Sequence, residues 1–271
     1  MTWGVADVSV ARGGRVVLDT VTLEVSAGEI VAVVGGDGSG KSSLLAVLAG
    51  LLVPAVGQVR TAPRSRLGFL PASSGVYPDL TASENLRFAS AVHGMPSGVA
   101  ADRISALLAV TGLTAAAGRL GGRLSGGMRQ KLGVAMALVH GPDLLILDEP
   151  TTGVDPVSRA DLWWLIAREA AGGCAVVLST AYLDEAERAG RIVVLDNGRT
   201  LMQGDPASIT AAVPGELRVT VNRPAGPYAW RRGRSWRAWQ PDGGAGAPVR
   251  PDLQDAIVLA ALRKAEGEDD E

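Results

Sequence analysis

Cysteine is almost missing from this chain. One thiol, Cys174, among 271 residues leaves nothing for an internal disulfide, and no charged-then-apolar leader opens the sequence, so a reducing cytosol is the expected setting. The thiol reads as a small core residue rather than a reactive one. An excess of one charge is missing too. The 26 basic and 28 acidic residues leave a net charge of −2, and that balance gives no pointer to nucleic acid. No apolar run is long enough to span a bilayer. The longest, Leu44 to Val56, contains Pro54 and is assigned to a helix that follows a glycine loop. If membranes matter to this chain, a partner supplies them.

What is present is 47% hydrophobic content, enough for one main domain with appendages. The stretch that organises it runs from Gly35 to Ser42 as Gly-Gly-Asp-Gly-Ser-Gly-Lys-Ser and fills every fixed position of the phosphate-loop pattern G-x-x-x-x-G-K-[ST]. Its flanks agree. Glu29 to Val34 is a mostly β-branched run that reads as a buried strand, and Ser43 to Gly50 carries helix formers with leucines at helical spacing. A triphosphate needs many donors and little bulk. Glycines let successive N–H groups curl around phosphates at the positive end of a helix, Lys41 reaches the outer phosphates, and the Ser42 hydroxyl can ligate magnesium.

Before this loop, Val5 to Val10 and Val21 to Val25 read as two short strands around an Arg12-Gly-Gly-Arg15 turn. After it, Leu67 to Leu70 is another short strand. Thr81-Ala-Ser-Glu84 fits a capping box, so a helix is expected from Thr81 to about His93. Residues 100 to 140 are helical by spacing and broken at Gly121-Gly122, which suggests an inserted helical subdomain. Leu124-Ser-Gly-Gly-Met-Arg-Gln130 opens one of its helices. Ser125 is a plausible N-cap there, and the glycines beyond it leave backbone donors open to an anion. Leu144-Leu-Ile-Leu-Asp-Glu149 is an apolar strand ending in two carboxylates. At such a strand end Asp148 can hold a magnesium shell, while Glu149 orients or deprotonates a water aimed at the γ-phosphate.

Together and in this order, the phosphate loop, the Leu-Ser-Gly-Gly stretch, the aspartate–glutamate strand end and Thr151-Thr-Gly-Val-Asp-Pro156 resemble the ATP-binding subunits of ABC transporters. The resemblance covers about residues 3 to 205. Tyr77 to Leu86, Asp155 to Arg159 and Leu183 to Glu187 look like the type-2 exporters, which move drugs, lipids or polysaccharides outward. The resemblance implies a head-to-tail ATP sandwich in which the signature of one subunit closes over the phosphate loop of another. Carried onto this sequence, Gly35, Gly36, Asp37, Gly38, Ser39, Gly40, Lys41, Ser42 and Ser43 hold the nucleotide. Ser42 and Asp148 support Mg2+, and Glu149 is the catalytic base. Ser125, Gly126 and Gly127 touch the partner's γ-phosphate, and Asp155 lies in the loop that reports between the two sites.

Three positions depart from the family pattern. Arg12 stands where an aromatic residue usually stacks on adenine, and a guanidinium can stack as well. Ala72 stands where a glutamine links magnesium and water to the membrane domain, with Ser73 and Ser74 beside it. Ala181 replaces the switch histidine after Ser179-Thr180. His93 and His140 read as surface or helix-end residues. Asp37, where an asparagine is frequent, is a milder difference.

From about Glu216 the chain matches the family poorly. Glu216 to Val221 alternates like a strand, and Trp230 to Trp239 interleaves arginines with tryptophans. That pattern suits a two-stranded ribbon packing its tryptophans on the main domain, and also single-stranded nucleic acid or anionic lipid heads. Asp252 to Lys264 reads as a helix, and Glu266 to Glu271 as an acidic, disordered end. The expected fold is α/β, a phosphate-loop ATPase core with an antiparallel β appendage, a helical insert and a small C-terminal α+β extension. The ATP-binding domain is placed at residues 1–210, its helical subdomain at about 76–140, and the extension at 211–271. The expected function is Mg-ATP hydrolysis driving export through a separate permease at the cytoplasmic face of the cell membrane. The expected partners are the permease subunits and a second ATP-binding subunit, or a second copy of this chain, and no nucleic acid. Two alternatives stand beside it: a weakly hydrolysing subunit that completes a partner's active site, and a soluble ATPase of this family acting on ribosomes or nucleic acid.

Overall fold

Alternation decides how the chain starts. In the computed structural model, which describes residues 1–241 and 244–269, strand β1 (Thr2–Arg12) pairs antiparallel with β2 (Arg15–Ser26). Both are longer than the short strands expected. Gly13 and Gly14, at φ 56° and 77°, shrink the loop to two residues and let pairing run on until Arg12 faces Arg15. Strand β3 (Ile30–Val34) then leads through the glycine loop into helix α1 (Lys41–Leu48). This helix is shorter than its apolar run. Gly50, at φ 68°, provides a left-handed stop, and Leu51 and Val53 beyond it are exposed. Strand β4 (Val56–Arg60) pairs with β1 and completes a three-stranded appendage in the order β2-β1-β4.

Strand β5 (Leu67–Leu70) precedes the helical insert of α2 (Ala82–Val92), α3 (Ser97–Val110) and α4 (Gly126–Leu138). The capping box forms at α2, where Thr81 Oγ1 accepts from the Glu84 N–H at 3.2 Å and Glu84 Oε2 accepts from the Thr81 N–H at 2.8 Å. The expected break at Gly121 is a single 3-10 turn. There follow β6 (Leu144–Asp148), α5 (Pro156–Ala171), β7 (Ala175–Ser179), α6 (Leu183–Ala186), β8 (Arg191–Asp196), β9 (Arg199–Gly204) and α7 (Pro206–Ala211).

The main sheet has the order β5-β6-β7-β3-β8-β9 and is parallel except for the β8–β9 edge. Strict alternation feeds a core on each face. Val31, Val33, Leu144 and Ile146 pack with α1 and the appendage, while Ala32, Val34, Leu145 and Leu147 pack with the helical insert and α5. Both faces are covered, so these strands are apolar almost throughout. Burial pushes the Cys174 thiol up to about 12, which leaves it an inert core group. His93 caps α2 and His140 follows α4, both half-buried rather than on the surface. Their rings stack 3.5 Å apart and 3° from parallel. Burial, and then the neighbouring His93, pushes His140 down to about 4.

The C-terminal segment builds a separate antiparallel sheet from β10 (Glu216–Thr220), β11 (Ala229–Arg232), β12 (Ser235–Gln240) and β13 (Ala247–Val249), in the order β11-β12-β10-β13. Helix α8 (Leu253–Asp269) lies between that sheet and the main body, with Leu253 and Ala256 in the main core. This corrects the expected ribbon in two respects. There are four strands, and Trp236 and Trp239 meet the extension's own residues: the Arg263 guanidinium lies 5.3 Å from the Trp239 ring centre and Arg223 lies 5.4 Å from that of Trp236. The acidic end is corrected as well. Helix α8 continues through Asp269, held near its end by Lys264 to Asp196 (2.8 Å) and by the Tyr228 hydroxyl to Glu266, and residues 270 and 271 lie outside the described residues.

Candidate active site

Parallel strands end together on one side of a sheet, so the segments leaving β3, β6 and β7 converge on a single edge. The phosphate loop leaves β3, the two carboxylates close β6, and Ser179-Thr180 closes β7, which lies between them. The result is a cleft of about 280 Å3 lined by Val17, residues 37–43 and Glu149.

The loop is bent so tightly that several of its glycines are obligatory. A Cβ on Gly35, at φ 156°, would meet the Leu195 carbonyl at 2.3 Å, and one on Gly40, at φ 105°, would meet the Val17 carbonyl at 2.8 Å. Gly38 has open space on that side but a left-handed φ of 77° that favours glycine, and only Gly36 of the four has neither constraint. Gly40 begins α1 without a side-chain cap, which leaves the first-turn N–H groups facing the cleft. Lys41 is buried at 6% exposure, and its Nζ donates to the Gly35 and Gly36 carbonyls at 2.9 and 3.0 Å. No carboxylate pairs with it among the described residues. A buried ammonium held only by carbonyls calls for an anion, so the loop fits a phosphate chain. Ser39 Oγ beside it is buried with no hydrogen-bond partner.

The expected metal groups fit magnesium in its usual protein setting. Ser42 is exposed to the cleft, and Asp148, 5% exposed, accepts from Ser179 Oγ at 2.6 Å through Oδ1. Among the described residues no cluster of three acidic, histidine or cysteine groups forms a closed cage. One hydroxyl and one carboxylate suit an ion that takes its other ligands from phosphate and water.

Glu149 has the left-handed φ of 50°, unusual for a residue with a side chain. Its peptide is clamped on both sides: the N–H donates to Ser179 Oγ at 2.9 Å and the carbonyl accepts from Gln130 Nε2 at 2.8 Å. Its Oε2 accepts from Thr152 Oγ1 at 3.0 Å. Behind it Glu185, at 2% exposure, accepts from Thr151 Oγ1 at 2.8 Å and Thr180 Oγ1 at 2.9 Å, with Arg159 at 3.5 Å. Gln130, Ser179 and Glu185 all lie in stretches that the sequence singles out, but nothing in those stretches assigns them a role at the site. The one available signal is the position of Ser179 at the end of an apolar strand, and only pairing of β7 with β6 sets it opposite Asp148.

Other expected site residues lie elsewhere. Arg12 is exposed at the tip of the β1–β2 hairpin and does not line the cleft, where Val17 does. Ser125 caps α4 by accepting from the Met128 N–H at 3.3 Å. Ser125, Gly126 and Gly127 are on the helical insert, outside the cleft of their own chain. Asp155 caps α5. Ala72 and Ala181 are both exposed, and the Thr180 hydroxyl is committed to Glu185.

This chain is 38% identical over 205 residues to the Nod factor export ATP-binding protein I of Cupriavidus metallidurans, across 72% of this chain and 68% of that protein. It belongs to the ABC transporter family. The family model described as ABC transporter matches residues 18–152, which include the whole cleft apart from Val17. The probable multidrug ABC transporter ATP-binding protein YbhF of Escherichia coli K12 is 39% identical over 201 residues, 70% of this chain but only 35% of that protein, so the chain spans about a third of that relative's length. Among solved structures, one titled as the ATP binding subunit of an ABC transporter superposes with a TM-score of 0.72 at 30% identity, covering 78% of this chain and 92% of its own. The likeness therefore covers most of this chain and leaves about a fifth of it uncovered.

Proposed function

We propose that this chain is the ATP-binding subunit of an exporter, binding and hydrolysing Mg-ATP to drive a separate membrane permease from the cytoplasmic face. The carrying observation is the unpaired, buried Lys41 ammonium on the same cleft as Glu149. Lys41 and the first-turn N–H groups of α1 hold the phosphates, Ser42 and Asp148 hold Mg2+, and Glu149 orients the attacking water and takes its proton. Mg2+, when bound, neutralises charge on the phosphates. Residues 1–210 form the ATP-binding unit and 211–271 an extension of it. Lys41→Ala removes a charge-assisted contact worth about 1.5–3 kcal/mol, so ATP affinity falls at least about tenfold in a nucleotide titration. Equal affinity in the two proteins would overturn the assignment.

Ala72 and Ala181 stand where the family pattern has side-chain donors to the γ-phosphate region, and Thr180 is tied to Glu185. This favours a mixed pair, in which a second, more complete ATPase subunit turns over most of the ATP and Ser125, Gly126 and Gly127 of this chain close the partner's site. The permease docks on the loop before α2. Asn85, fully buried, fastens that loop by accepting from the Tyr77 N–H and by turning its Nδ2, with two N–H donors, to the Tyr77, Leu80 and Thr81 carbonyls, all within 3.1 Å. Val76 and Leu80 are half-buried, and the outward apolar groups are Tyr77, Phe88 and Val92. The Tyr77 and Phe88 rings meet edge to face at 4.9 Å. Tyr77→Asp places a charge in this patch and abolishes co-purification with the permease. Undiminished co-purification would move the docking site elsewhere.

A further inference from the structure

The end of β7 carries more of the site than its sequence suggests. Strand β7 lies between β3 and β6, and Ser179 is in register with Val33 on one side and Asp148 on the other. Its side chain is fully buried and makes two short bonds, donating to Asp148 Oδ1 at 2.6 Å and accepting from the Glu149 N–H at 2.9 Å. One hydroxyl therefore fixes both the metal-supporting carboxylate and the backbone of the water-activating residue.

We propose that Ser179 is a positioning residue for this site: its hydroxyl turns the Asp148 carboxylate so that Oδ2 faces the metal position, and it holds the Glu149 peptide in its left-handed bend. The inference rests on the Mg-ATP reading above. Two features carry it. With Oδ1 occupied by Ser179, no hydrogen bond among the described residues takes Oδ2. The bend at Glu149 is unfavourable for a residue with a side chain, and such a conformation persists when neighbours fix it from more than one side. Ser179 does so at the N–H and Gln130 at the carbonyl. Without the hydroxyl, Asp148 can rotate within its pocket and the Glu149 N–H is left buried without an acceptor. Groups one step behind a metal ligand commonly shift metal affinity or activity by about 10–100-fold when removed.

The test is titration of the full chain with a fluorescent ATP analogue, once in excess Mg2+ and once in EDTA, for wild type, Ser179→Ala, Ser179→Thr and Lys41→Ala. The gain in affinity due to Mg2+ should fall about tenfold in Ser179→Ala. Affinity in EDTA, which depends on Lys41 and the loop, should stay within about twofold. Ser179→Thr keeps the hydroxyl and suits a strand, so it should restore the Mg2+ gain. A merely structural role would lower both affinities together and would not separate Thr from Ala. If thermal melting shows Ser179→Ala unfolded, Ser179→Cys, similar in shape but a weak donor, takes its place. An undiminished Mg2+ gain in the alanine variant, an equal loss in EDTA, or a threonine variant that behaves like alanine each overturns the assignment. Wild type that binds the analogue equally with and without Mg2+ overturns it too, while leaving nucleotide binding intact. Failure of the Mg-ATP reading itself shows differently, as wild type and Lys41→Ala that bind alike.

Discussion

At the edge where β3, β6 and β7 end, polar groups face a cleft without partners of opposite charge. In the C-terminal sheet the charged groups pair with one another, although Trp230 Nε1 and Arg237 Nε are buried without a hydrogen-bond partner among the described residues. Among the described residues Lys41 has only carbonyls for company and Ser39 Oγ has no hydrogen-bond partner. Asp255, at 1% exposure, lies instead between Arg232 at 3.3 Å and Arg237 at 3.7 Å, with Arg232 also reaching Asp252. Both regions combine glycine or tryptophan with basic residues, and sequence alone allows a ligand at either. The structure separates them by where each charge is neutralised. A buried charge left open implies something that arrives, and one already matched implies packing.

The largest effect expected from this contrast concerns turnover. On the mixed pair proposed above, replacing the second subunit's equivalent glutamate with glutamine should abolish most ATPase activity of the assembled transporter, while Glu149→Gln should leave most of it. The reason is that a missing oriented donor, here at Ala181, costs about 2.7–4 kcal/mol, on the order of a hundredfold or more in rate. Brisk hydrolysis by this chain alone would break the contrast, because the open site would then be complete without further donors. A smaller effect tests the closed region. Asp255→Ala leaves two guanidinium groups without their buried carboxylate and should lower unfolding free energy by about 2–4 kcal/mol in urea titrations. Because the cleft is elsewhere, nucleotide affinity should stay within about twofold, and a larger change would show that the extension takes part in the site.

The smallest effect lies at the stacked histidines, where a polar ring is kept neutral by burial. The folded chain binds a proton at His140 only near pH 4, whereas the unfolded chain binds it near the ordinary value of 6.5. Between those values the unfolded state holds more protons. Stability is therefore complete above about pH 6.5 and is lost as pH falls towards 4, by about 1–2 kcal/mol once partial exposure is allowed for. His93, also lowered by burial, acts in the same direction. His140→Phe should flatten the stability profile over that range, and an unchanged slope would place the acid sensitivity in the carboxylates.

Legibility in the sequence varies with the kind of residue. The phosphate loop can be read because its glycines and lysine are consecutive, and the α2 capping box because its donor and acceptor are three residues apart. Helix α1 reads as too long, since leucines at helical spacing continue past Gly50 and only its left-handed backbone ends the helix. Ser179 and Glu185 escape a reading of the sequence for a different reason: their partners, Asp148 and Thr151, are 31 and 34 residues away along the chain. Arg12 illustrates the opposite case. It stands where the family usually places an aromatic adenine contact, and the tight hairpin leaves it exposed at a tip, away from the residues that line the cleft.

What the sequence by itself determined was local chemistry: a loop that can only curl, a strand that ends in two carboxylates, a helix start rich in glycine, and the absence of a helix long and apolar enough to cross a membrane among the described residues. Tertiary structure alone decided the company each group keeps. Strand order put β7 between β3 and β6 and so brought Ser179 to Asp148, and helix α8 brought Asp255 to the arginines that an isolated ribbon would have exposed. The physical reason is that a side chain's preference for helix, turn or strand acts over a few residues. Whether its charge is buried, matched or left open depends on neighbours that only strand pairing and packing supply.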